Sequence, residues 1–108
     1  MLRRYKDRLG GIIEGANDAP MRLGRIGSRV YRSLKTRGER ATKGRQIESC
    51  RFEAKVKRGV SLMMLLEGRH SMSVGSQVAR GFETMDGVDT VEVNRTNHGA
   101  VVTIMLEE

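Results

Sequence analysis

The chain has no tryptophan, and its aromatic side chains are Tyr5, Tyr31, Phe52 and Phe82. A protein that reads RNA by stacking bases on a sheet surface needs exposed aromatic platforms. Both phenylalanines fall on inward positions of predicted elements, so that mode is disfavoured and Tyr31, between Arg29 and Arg32, is left as the one stacking candidate. The single cysteine, Cys50, excludes an internal disulfide framework and cannot complete a zinc site. His70 and His98 fall in turns, away from any cysteine or carboxylate at ligand spacing. The longest apolar run, around Leu62–Leu66, is far below the roughly 18 residues needed to cross a bilayer. The first residues, MLRRYKDRLGGII, carry charge among their apolar positions and lack the uninterrupted core of a signal peptide. The expectation is a cytoplasmic protein, free or inside a particle assembled there, and not a secreted one. The acceptor-like tripeptide Asn94-Arg95-Thr96 then has no meaning.

Catalytic patterns are also missing. Gly38 to Gly44 has glycines and a lysine, but no Gly-Lys-Ser/Thr and no preceding strand, so it is not a phosphate loop. Adjacent carboxylates occur only at Glu107-Glu108. No nucleophile elbow or metal cluster is visible. A non-enzyme without cofactor or metal is expected.

Positive charge is present, and it is unevenly placed. Residues 1–47 hold 13 Lys/Arg against 4 Asp/Glu, a net of +9, and residues 48–108 hold 7 against 9, a net of −2; together these give the +7 of the chain. A basic block of this kind suits a polyanionic partner, nucleic acid before an anionic membrane. Residues 2–14 place Leu2, Tyr5, Leu9 and Ile12/Ile13 at helical spacing, and residues 15–20 read as a turn. A second helix is predicted over 21–36, with Leu23, Ile26, Val30 and Leu34 as its apolar stripe and Arg22, Arg25, Arg29 and Arg32 beside it. Like charges at such spacing destabilise an isolated helix, which suggests an anion to offset them. Residues 37–48 lack periodicity and read as an exposed basic linker. The predicted nucleic-acid contacts are Arg22, Arg25, Arg29, Tyr31, Arg32, Lys35, Arg37, Arg40, Lys43 and Arg45, reading phosphate without sequence preference.

The stretch Cys50–Glu67 organises the rest. Cys50, Phe52, Ala54 and Val56 alternate with Arg51, Glu53, Lys55 and Lys57, the period of a half-buried strand. Beyond a turn at Arg58-Gly59, the segment 60–66 is apolar on both faces except at Ser61. A helix over 72–85 follows, with Val74, Val78, Phe82 and Met85 inward, closed by Asp86-Gly87. Strands 90–95 and 100–106 complete the chain, the last again apolar on both faces.

The order is β-β-α-β-β. Strands with charged outer faces belong at edges and two-sided apolar strands in the middle, which gives the order 1-2-4-3. The expected fold is therefore α+β, a four-stranded split β-α-β sheet with one helix on one face, close to half of a ferredoxin-like arrangement. A basic two-helix arm and linker (1–48) precedes this core domain (49–108). Met63, Leu65, Val101 and Met105 then share the face that the helix does not cover, where an apolar patch calls for a lid. An N-terminal helix, a second copy or another protein would serve.

Three functions follow as expectations. The first is a non-enzymatic assembly subunit, a nucleoprotein or phage or viral structural component, docking through that patch and touching nucleic acid through the basic helix. The second is a protein scaffold subunit without nucleic acid, and the third a peripheral membrane module. Narrow apolar faces without tryptophan disfavour the membrane.

Overall fold

The computed structural model describes residues 12–14, 20–56 and 59–107. Two short strands, β1 (Ile12–Glu14) and β2 (Pro20–Arg22), pair antiparallel. Helix α1 (Gly24–Lys43) precedes the hairpin of β3 (Ser49–Val56) and β4 (Val60–Glu67). Helix α2 (Ser71–Phe82), β5 (Val88–Arg95) and β6 (Gly99–Leu106) follow. The last four strands form one antiparallel sheet in the order β3-β4-β6-β5, the 1-2-4-3 arrangement that the alternation predicts. Since β4 and β5 are each antiparallel to β6, the strands joined by α2 run parallel without touching.

Register assigns the side chains to faces. Met64 of β4 stands opposite Phe52 of β3 and Val102 of β6, so all three point to one side. With Ala54, Leu62, Leu66, Ala100, Ile104 and Leu106 they form the sheet's contribution to the core. Val56, expected inward, is instead 56% exposed, because it sits at the hairpin end in the last pair of the ladder, opposite Val60. Strand β5 starts earlier than predicted, and a register shift between Val88 and Thr90 accommodates the extra residue Asp89.

Two helices, not one, cover this inner face. Along α1 the buried positions are Gly27, Val30, Tyr31, Leu34, Gly38 and Ala41, one stripe of a 3.6-residue period. Val30, Tyr31 and Leu34 have no exposed surface. Burying a valine or leucine fully is worth about 1.5–3 kcal/mol, so a helix held by such residues is part of the core and not a separate arm. Ile26, read as part of this stripe, is 48% exposed.

The helix also runs through the segment predicted as a linker, to Lys43. Gly38 does not break it. An added Cβ there would lie 2.7 Å from Cys50 Sγ and 2.8 Å from Phe52 Cζ, so glycine lets α1 sit close against β3. The start is set by Gly24, whose φ of +77° turns the chain from β2 into the helix. At the other end, Gln46 N–H donates to the Ala41 carbonyl and Arg45 N–H to the Thr42 carbonyl, each at 3.0 Å. This is the Schellman pattern, with Arg45 at φ +60° in the position usually given to glycine.

Helix α2 buries Val74, Val78 and Phe82 against β5 and β6 and stops at Phe82, short of the predicted Met85. Of the helix predicted over 2–14, residues 12–14 are extended in β1, and the remainder lies outside the described residues, as do 15–19 of the predicted turn and Lys57-Arg58. Among the described residues, no helix is long and apolar enough to cross a membrane.

Candidate polyanion-binding helix and open sheet face

Burying one stripe of α1 forces its opposite stripe outward. Arg25, Arg29, Arg32, Thr36, Arg40 and Lys43 are all exposed and follow one another at spacings of four and three, a single row along the helix. From Arg25 to Lys43 the row spans about 27 Å at 1.5 Å per residue. The helix holds seven Lys/Arg, and Glu39 is its one acidic residue. Arg40 and Lys43 in the last turn are favoured by the helix dipole, whereas Arg25 in the first turn is opposed by it. Glu39, four residues before Lys43 and four after Lys35, offsets part of this charge at the C-terminal end of the row, and packing of the other stripe holds the remaining charges in place.

The ten predicted contact residues divide on this geometry. Arg25, Arg29, Arg32, Arg40 and Lys43 lie on the row. Arg22 ends β2 ahead of the helix, and Arg45 is exposed beyond its end. Lys35, half-buried, lies on one flank of the row. On the other flank, Arg37 places its guanidinium 5.4 Å from the Phe82 ring centroid. Tyr31 is the clear correction. It has no exposed surface and meets Phe52 edge-on at 6.0 Å between centroids, so it offers no face to a base. Its neighbours in sequence are charged, but it projects with Leu34 toward the sheet.

The second feature is the sheet face opposite the helices. Met63, Leu65 and Val101 are half-buried there and Met105 is 38% exposed. Leu65 and Val101 stand opposite each other across the β4–β6 ladder, with Arg51 and Asn94 at the ends of their row. Met63 pairs with Thr103 between Glu53 and Glu92, and Met105 pairs with Ser61 and Thr90. The result is an apolar strip along the middle strands with polar margins, the predicted quartet on one face. Neither helix covers it.

The chain matches no known protein family, no curated protein and no solved structure. His70 and His98 are exposed at the two turns where the sequence puts them. Among the described residues, no three His, Cys, Asp or Glu side chains cluster so as to hold a metal ion. The feature that sequence reasoning missed is how Arg37 is held. Phe82 and Gly81, 44 and more residues away, seat its guanidinium, and no local pattern reveals such a contact.

Proposed function

We propose that this protein is a non-enzymatic subunit of a larger assembly. It holds a polyanion, nucleic acid in the first place, along the exposed row of α1 and meets a protein partner on its open sheet face. The observation that carries this reading is the row itself: Arg25, Arg29, Arg32, Arg40 and Lys43 on one face of a helix whose other face is anchored in the core. Cations carried on an anchored helix backbone at about one per turn contact successive phosphates without the full entropy cost of ordering a flexible arm. With Tyr31 in the core, recognition is of backbone charge and not of bases.

The membrane reading is weaker on this geometry. The apolar side chains of α1 are spent on the sheet, so contact with lipid would be electrostatic only, without the buried apolar face that interfacial helices use. The scaffold reading, in which the arginines meet an acidic protein, draws support from the apolar strip on the sheet. Binding of fluorescent single- and double-stranded oligonucleotides at low salt separates the two. The proposal expects binding to both forms, weakened at least tenfold when Arg25, Arg29 and Arg32 become Gln. No binding at low salt would leave the scaffold reading in its place.

A further inference from the structure

One part of the basic surface is built differently from the rest. Arg32, Ser33, Thr36, Arg37 and Arg40 line a dent of about 290 Å³ on the flank of α1 that carries Arg37. Arg37 is fixed from the far side. Its guanidinium lies over the Phe82 ring, and a Cβ added at Gly81 would fall 2.7–2.9 Å from Nη2, Cζ and Nη1. The guanidinium thus lies against the bare backbone of Gly81 and over an aromatic ring. Arginine held in this way loses less freedom on binding than one waving in solvent. The hydroxyls differ too. Thr36 Oγ1 donates to the Arg32 carbonyl at 3.0 Å, which commits its proton. Ser33 makes no side-chain hydrogen bond among the described residues and supplies a donor at the wall.

The geometry points to a phosphate seat at this dent, in which the pre-set Arg37 fork binds two oxygens of one phosphate group, with Arg32, Arg40 and the Ser33 hydroxyl completing the shell. The Arg37 fork is already held by Phe82 and Gly81, so it loses less freedom on gripping a phosphate than the exposed arginines of the row, which makes this site the stronger one. The seat deepens the reading of α1 as a phosphate-contacting face and rests on it for the case where the phosphate belongs to nucleic acid. A small phosphorylated molecule offers the same chemistry, and the test separates these sources.

Gly81→Ala is the decisive variant. The atoms in its way are the far end of a flexible side chain, so the fold accommodates the methyl, but the guanidinium must leave its seat. Inorganic pyrophosphate and a single-stranded oligonucleotide are titrated separately into the full chain, followed by amide chemical shifts. Pyrophosphate is expected to bind saturably with the largest shifts at residues 32–40. Gly81→Ala and Arg37→Lys each weaken it about tenfold, while Arg25→Gln changes it less than twofold. The thermal midpoint of Gly81→Ala stays at or above that of the parent, so a loss of folding does not explain the effect. Equal losses for Arg25→Gln and Gly81→Ala, or no saturable binding, overturn the seat. Pyrophosphate binding weakened by Gly81→Ala with oligonucleotide binding untouched assigns the seat to a small phosphorylated ligand while sparing the proposed function. Pyrophosphate binding as expected without any oligonucleotide binding keeps the seat for a small phosphorylated ligand and overturns the nucleic-acid reading.

Discussion

Replacing Gly38 by alanine sets two opposing effects against each other at one position. Alanine in the middle of a helix is favoured over glycine by about 1 kcal/mol. Against that, the new methyl would lie 2.7 Å from Cys50 Sγ, 2.8 Å from Phe52 Cζ and 3.4 Å from Met64 Sδ. The Phe52 ring cannot swing away freely, because it is wedged edge-on against the buried Tyr31. Overpacking a tight core costs about 1–3 kcal/mol, and two contacts this short belong in the upper half of that range. The expected net effect is a destabilisation of about 1–2 kcal/mol, read as a lower midpoint in urea with an unchanged slope. Removing Cys50 Sγ should relieve part of it, so Gly38→Ala with Cys50→Ala should lose about 0.5 kcal/mol or more less than the two single changes added together. Gly81→Ala gives the contrast: another helical glycine, whose added methyl meets only a movable guanidinium. A Gly38→Ala protein as stable as the parent, or more so, would refute the packing of α1 on β3. It would return residues 37–48 to the exposed linker that their glycines and charges suggest.

Three other substitutions probe the remaining structure. Gly99→Ala would push its Cβ into the Leu66 carbonyl, a backbone atom of the central strand, and is expected to cost about 3 kcal/mol or more; chemical denaturation with a loss below about 1 kcal/mol would contradict the β4–β6 register. Arg45→Gly should stabilise by about 1 kcal/mol, because the left-handed position strains any residue with a Cβ, and an unchanged or lower thermal midpoint would contradict the helix end described. Met63→Lys with Met105→Lys should leave the fold within about 1 kcal/mol of the parent, since lysine can run its stem over the strip with its charge in water. The same pair should abolish association through the sheet in light scattering. Unfolding instead would mean that the strip is internal core.

The sheet was legible because its information is local. Alternation in Cys50–Val56 and in Val91–Val93, together with apolar residues on both faces at Val60–Leu66 and Ala100–Leu106, carries strand, face and order at once. The strip of Met63, Leu65, Val101 and Met105 followed from the same pattern. Helix α1 was legible only as far as Thr36. Gly38 looks like a breaker in sequence, and its purpose becomes visible only when Cys50 and Phe52 are beside it. Tyr31 misled in a related way: flanking arginines suggest exposure, but a helix turns by 100° per residue, and Tyr31 points with Leu34. The Arg37 seat on Phe82 and Gly81 was not legible at all, since those contacts join two helices separated by two strands.

The central claim is that the row on α1 binds phosphate backbone, and the slope of log K against log salt tests it most directly. For a single strand that slope is about −0.7 per phosphate neutralised. Five side chains on the row therefore predict about −3.5, and the triple variant of Arg25, Arg29 and Arg32 to Gln predicts a slope shallower by about 2, with a urea midpoint at or above that of the parent because repulsion along the row is reduced. A parent slope near zero, or one that the triple variant leaves unchanged, would contradict the account and move the function of this helix away from nucleic acid.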